Sequence, residues 1–285
     1  MFYLFYIIVF PLAYLPLWML YVISDCLYPV VYHLVRYRRK VVRRNLQNSF
    51  PLKSDKDITV IEKKFYHYFC DLMVETLHLW RMSEREIRSR ITMVDFDIVE
   101  NYLRQGRSVM LATAHYGNWE WGSTVPAVMD KKFLFCNVYK RLSSKNFDNF
   151  MQTIRKRSGG VNVEMKTILR KIYELRAENK QAVFAMIADQ RPARSHIRYR
   201  TKFLNQTTSV ITGTEQLAKK FDYAVVFGHI CRTKRGHYEF RMSLLHDQAS
   251  TLPDYELSDI YLRKLEKTIC EKPEFWLWTH NRWKF

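Results

Sequence analysis

Two side chains of the kind that move protons in reactions, His115 and Glu120, lie five positions apart in the stretch Ala112-Thr113-Ala114-His115-Tyr116-Gly117-Asn118-Trp119-Glu120-Trp121. An imidazole can take the proton of an attacking hydroxyl near neutral pH. A carboxylate against its second nitrogen fixes the tautomer and stabilises the imidazolium. The pair therefore reads as general base (His115) and orienting group (Glu120), and the backbone N–H groups of the same turn are candidates to help stabilise an oxyanion. A zinc-protease site would need two histidines at i, i+4 on a helix, a spacing absent here. On the residues alone, two other readings stay open. One is a buried His–Glu pair with no chemistry, and the other is a hydrolase or thioesterase using the pair on water.

Elements on both sides must hold this pair in place. The apolar run Val109-Met110-Leu111-Ala112 reads as a buried strand leading into it. Asn118 reads as a helix N-cap, which puts Glu120 in a first turn where the helix dipole favours a carboxylate. Further strands are predicted over 91–96, 108–114, 133–138, 182–188, 224–230 and 238–245. Helices are predicted near 97–105, 119–129, 145–157, 166–179 and 209–221. This alternation is that of an α/β layered domain with a mostly parallel central sheet, where sites form beyond the carboxyl ends of strands. Upstream, residues 55–81 read as a long amphipathic helix capped by Ser54 or Asp55, with Glu75, His78 and Trp80 near its end. His78 reads as a packed or surface histidine with no part in the chemistry. The terminal run Pro273-Glu274-Phe275-Trp276-Leu277-Trp278 is too aromatic for a frayed tail.

The chain of 285 residues can bury a full core, and 48% hydrophobic with 15% aromatic residues excludes a disordered chain. Its formal net charge of +18 calls for a polyanionic surface or partner. The five cysteines are scattered without Cys-x-x-Cys spacing, which excludes a disulfide framework or zinc site and suits a reducing compartment. Residues 1–35 are apolar, with Asp25 the one formal charge, and the run is long enough to cross or enter a bilayer. No basic residue precedes it and no small-residue cleavage site follows, which argues against a signal peptide. Six of the nine residues from Arg36 to Arg44 are basic. Beside an apolar run, this cluster predicts contact with anionic lipid and a cytoplasmic face. The expected division is a membrane-associated helix over 1–35 and a catalytic domain over 36–285. A non-catalytic protein binding anionic lipid is the competing class. Nucleic acid is not expected, since no helix-turn-helix, zinc-finger or aromatic RNA-binding signature is visible.

His115-Tyr116-Gly117-Asn118-Trp119-Glu120 resembles the His-x4-Asp/Glu signature of glycerolphosphate-acyltransferase-like enzymes, and its Asn-Trp-Glu form is similar to the lipid A biosynthesis acyltransferases. Other blocks follow in the family's order. They are Val138-Tyr139-Lys140 with Asn146 and Arg155-Lys156-Arg157-Ser158-Gly159, then Ala188-Asp189-Gln190, then Pro273 to Trp278 with Arg282-Trp283-Lys284. Arg44-Asn45-Leu46 and Phe50-Pro51 match the segment after the anchor, so the resemblance covers nearly the whole chain. Lys140 stands where the family more often has arginine, and the loop Arg191-Pro192-Ala193-Arg194-Ser195-His196 is more basic than its usual form.

The resemblance implies acyl transfer from an acyl carrier protein thioester to a hydroxyl of a lipid A precursor. His115 would act as base and Glu120 as its partner, in a ternary complex, without a cofactor or metal. It implies Arg155 and Arg157 as phosphate or oxyanion ligands and Asp189 as a group that positions arginines or acceptor, with Asn118 and Lys140 also in substrate binding. It implies a location at the bacterial inner membrane, catalytic domain towards the cytoplasm. A coenzyme A donor or another glycolipid or phospholipid acceptor is the alternative within the same family.

Overall fold

The structure, a computed structural model, describes residues 11–284, so the first ten residues of the expected membrane segment lie outside the described residues. Seven strands form the central sheet: β1 (Ile91–Val94), β2 (Val109–Thr113), β3 (Leu134–Tyr139), β4 (Val161–Glu164), β5 (Ala182–Ile187), β8 (Ala224–Lys234) and β9 (His237–His246). Their order is β1-β9-β8-β2-β5-β3-β4, and the hairpin β8–β9 is the antiparallel pairing among otherwise parallel neighbours. A separate antiparallel ribbon pairs β6 (Arg200–Phe203) with β7 (Gln206–Ser209). The sheet is thus mixed α/β and mostly parallel, as the strand–helix alternation predicts.

Both faces of the sheet are covered, which explains the continuous apolar runs of its central strands. Along β2, Met110 and Ala112 join one core while Val109 and Leu111 join the other. Along β5, Phe184 and Met186 face the first core and Val183 the second. Helices α2 (Arg39–Ser49), α3 (Asp55–His78), α7 (Ile168–Ala177), α8 (Gly213–Phe221) and α9 (Glu256–Glu271) supply the first core. Helices α4 (Glu84–Arg90), α5 (Asp97–Arg104) and α6 (Lys145–Lys156) supply the second. Ser54 caps α3 by accepting from the Asp57 N–H, with Asp55 and Asp57 in the first turn. Helix α9 is not among the expected elements, although Leu257, Tyr261, Leu262, Leu265 and Ile269 recur at helical spacing and are buried. The short strands β4, β6 and β7 carry too few apolar residues to be read from pattern alone.

The apolar N-terminal segment forms helix α1 (Leu17–Pro29), continued by a π-helical turn over Val30–Leu34. It packs along α3. The Ser24 hydroxyl donates to Asp71 at 2.7 Å, and the Tyr28 ring stacks on His67 with centroids 3.5 Å apart. Arg235, beyond β8, donates to both Asp25 and Asp71. Leu17–Leu34 is long and apolar enough to cross a membrane by length and composition, and 22% of it is buried against the protein. Its outer side carries exposed Trp18, Val22, Val30 and Leu34, followed by exposed Val35 and Tyr37.

Residues 119–129, expected as a helix, fold as a 3-10 helix over Trp119–Ala127. Gly122, Pro126 and the Thr124-Val125 pair are poor α-formers, and Pro126 lacks an N–H donor. The turn before it depends on Gly117, at φ +59°, where an added Cβ would lie 1.8 Å from the Ile230 carbonyl oxygen. Gly117→Ala is therefore expected to destabilise the protein by about 2–4 kcal/mol, combining left-handed strain with a clash against backbone. Denaturant unfolding of the purified variant measures this, and a wild-type midpoint would contradict it.

Candidate active site

Parallel pairing of β2 with β5 brings the site together. Thr113 lies opposite Ile187, and the Ala188 N–H donates to the Thr113 carbonyl just past the strand ends. Two residues further on each strand stand His115 and Asp189. His115 Nδ1 lies 2.7 Å from Asp189 Oδ1, with Asp189 buried and the imidazole 20% exposed. Trp276 Nε1 donates to the other Asp189 oxygen at 2.8 Å. Burial alone would raise the Asp189 carboxyl. The His115 ring, the bonds from His115 and Trp276, and the Arg282 charge outweigh it and hold the carboxyl below its ordinary range. An ionised carboxylate only accepts, so the proton of neutral His115 sits on Nδ1 and the Nε2 lone pair is left for a substrate proton. Gln190 Nε2 approaches that nitrogen at 3.3 Å.

The carboxylate against His115 is thus Asp189, where the spacing of the His-x4-Glu stretch points to Glu120. The turn at Gly117 and the 3-10 helix aim Glu120 at α6 instead. Arg155 holds it in a two-pronged ion pair, Nε to Oε2 at 2.9 Å and Nη2 to Oε1 at 2.6 Å. Burial opposes both charges, and the pairing with Arg155 keeps the Glu120 carboxyl below its ordinary range. Trp119 joins the two pairs. Its ring meets His115 edge-on at 5.1 Å and its Nε1 donates to Glu120 at 3.2 Å.

The other expected site residues divide. Asn118 is fully buried. Its side-chain oxygen accepts from the Trp121 N–H and its amide nitrogen donates to Glu75, so it acts as the expected cap with both ends engaged internally. Lys140, just past β3, and Arg157, just past α6, are exposed. The side chain of neither makes a hydrogen bond or ion pair among the described residues, with His115 and Asp189 or any other group. His78 is packed, with Nε2 at 2.9 Å from Glu86.

The terminal aromatic block is part of the site. Tyr116 and Trp276 form an isolated β-bridge, the Leu277 N–H donates to the His115 carbonyl, and the Gly117 N–H donates to the Phe275 carbonyl. Behind it Arg282 is fully buried, donates to the Ser209 carbonyl at 2.9 Å, and lies over the Phe203 ring. Burial pulls its guanidinium down to about 10, against the attraction of Asp189. No group of three His, Cys, Asp or Glu side chains among the described residues is placed to hold a metal ion.

Acid stability follows from the two depressed carboxyls, whose ordinary pKa values are 3.8 for Asp189 and 4.5 for Glu120. The unfolded chain binds protons there that the folded chain refuses. Their stabilising contribution is therefore present above the unfolded values and lost as pH falls through the lower native ones. Urea unfolding from pH 6 downward is expected to show stability falling below about pH 4.5, with a shallower fall in Asp189→Asn. An unchanged acid slope in that variant would contradict the assignment.

The family described as bacterial lipid A biosynthesis acyltransferase matches residues 1–285. A lipid A biosynthesis lauroyltransferase of Escherichia coli (strain K12) is 23% identical over 286 residues, covering 96% of this chain and 91% of the relative. A lipid A biosynthesis palmitoleoyltransferase of the same organism is 22% identical over 251 residues, covering 88% of this chain and 80% of its own length. A lipid A biosynthesis acyltransferase of Shigella flexneri matches at the same identity and coverage.

Proposed function

Because the chain belongs to the bacterial lipid A biosynthesis acyltransferase family and is an acyltransferase, we propose that it moves a fatty acyl chain from an acyl carrier protein thioester to a hydroxyl of a lipid A precursor. The observation that carries the mechanism is the 2.7 Å contact of His115 Nδ1 with buried Asp189. It gives an imidazole with one nitrogen fixed as donor and the other available as base.

The acceptor hydroxyl gives its proton to His115 Nε2 as its oxygen attacks the thioester carbonyl. Asp189 stabilises the imidazolium that forms. The tetrahedral intermediate collapses by breaking the carbon–sulfur bond, and the departing thiolate recovers the proton from His115. The products are the ester and the free carrier thiol, so atoms and charge balance. The imidazole's hydrogen-bond partners are Asp189 and Gln190 and its ring partner is Trp119, with no serine or cysteine hydrogen-bonded to it among the described residues. Direct transfer in a ternary complex needs no acyl-enzyme. Arg155, locked by Glu120, is the cation beside the site that stabilises the developing oxyanion. Glu120 serves by fixing Arg155, while Asp189 takes the orienting role.

His115→Ala is expected to abolish ester formation, and Asp189→Asn to lower kcat by about 10²–10⁴, because an amide no longer dictates the tautomer. Glu120→Gln should cost less. Mass spectrometry of the product lipid, with free fatty acid measured in parallel, separates transfer from hydrolysis. Full transfer by a folded His115→Ala variant would sink the base assignment. An acidic carrier as donor also requires the rate with carrier thioester, unlike that with an uncharged pantetheine thioester, to fall as salt rises.

The enzyme works at the bacterial inner membrane with its catalytic domain towards the cytoplasm. Support comes from exposed Trp18, Val22, Val30, Leu34 and Val35 beside exposed Arg36, Arg38, Lys40 and Arg44. An apolar face beside a basic one is the pattern of an anionic membrane interface. Trp18→Ser combined with Leu34→Ser is expected to weaken binding to phosphatidylglycerol vesicles by about tenfold or more. Undiminished cosedimentation would contradict this orientation.

A further inference from the structure

Outside the His115 pair, one carboxylate ties together four separate parts of the fold. Glu75, near the end of α3, is fully buried. The Tyr21 hydroxyl of α1 donates to its Oε1 at 2.8 Å. The Tyr238 hydroxyl of β9 and the Asn118 side-chain amide donate to its Oε2 at 2.6 and 2.7 Å. Its backbone carbonyl accepts from Trp121 Nε1 at 3.1 Å. Its direct side-chain partners are all neutral donors. Burial pushes its carboxyl upward, against the bonds from Tyr238 and Tyr21.

A carboxylate is a costly way to fill such a space, since buried polar groups can often be replaced by apolar ones without loss of stability. What the carboxylate does that an apolar group cannot is dictate an orientation. Three donors converge on its two oxygens, and the oxygen that accepts from Tyr238 also draws the amide nitrogen of Asn118 towards itself, leaving the amide oxygen for the Trp121 N–H. That cap sets the start of the 3-10 helix. The helix's first two residues are Trp119, edge-on to His115, and Glu120, the anchor of Arg155.

We infer that Glu75 is a positioning residue for acyl transfer, acting through Asn118 to fix the turn that seats Trp119 and Glu120 beside His115. The inference rests on the proposed role of His115, and adds a group that touches neither substrate nor base.

Two substitutions test it. Glu75→Gln keeps the shape but replaces an acceptor oxygen with a donor. Asn118→Ser keeps a good N-cap and removes the donor to Glu75. Each is expected to lower kcat roughly tenfold or more, as small misplacements of reacting groups do. The KM for carrier thioester and for lipid acceptor should stay within about twofold. The double variant should fall no further than the worse single, because both break one link. Wild-type kcat in either folded single variant, additive losses in the double, or a loss confined to KM would each overturn the inference. If Glu75→Gln does not fold, Asn118→Ser decides alone, and full kcat overturns it. His115→Ala run alongside keeps the two ideas apart. Its retention of transfer would sink the base assignment, whereas the Glu75–Asn118 coupling is read from the two kcat losses and their non-additivity.

Discussion

The site depends on a buried negative charge held at the end of β5. Asp189 is almost wholly removed from water, and a carboxylate there stays ionised only if its surroundings supply donors and positive charge. His115 and Trp276 donate to its two oxygens, and the buried Arg282 adds its field. Several otherwise puzzling features follow from this. The terminal aromatic block folds back against the β2 turn and brings Trp276 to the carboxylate. Arg282 is carried into the interior by the same block, close enough to Asp189 to feel its charge.

The second buried pair, Glu120 with Arg155, is separate from the first but in contact with it through Trp119. The arrangement divides labour between two carboxylates. One governs the imidazole and the other fixes a guanidinium. A bidentate pair holds the guanidinium plane in a definite orientation, which a single charge contact would not. Both carboxyls lie below their ordinary range, Glu120 chiefly through the Arg155 guanidinium and Asp189 chiefly through His115 and the bond from Trp276, with Arg282 adding least.

The N-terminal helix is more than an apolar tether. Tyr21, Ser24 and Asp25 join it by hydrogen bonds and an ion pair to Glu75, Asp71 and Arg235. Its seat on the domain is therefore specified by directional contacts as well as by apolar packing. The opposite side of the helix keeps its large apolar residues outward, which is unusual for a helix so firmly docked.

Much of this was legible in the residues themselves. Apolar runs and turns marked six of the seven sheet strands, because strands buried on both faces must be continuously apolar. The Ser54 cap and the periodicity of α3 marked its start, and Asn118 was identifiable as a cap from its place before Trp119. His115 stood out as the candidate base by type and position. Its partner did not. Asp189 lies 74 positions away, and only the pairing of β2 with β5, in the register Thr113 to Ile187, sets the two side chains opposite each other. Linear spacing favoured Glu120 because proximity along a chain is visible in a sequence and strand adjacency is not. The same reason hid Glu75, whose partners come from α1, β9 and the turn after His115. Residue chemistry determined which groups can carry protons and charge. The tertiary structure decided which carboxylate meets which cation, since that depends on the order and register of strands distant in sequence.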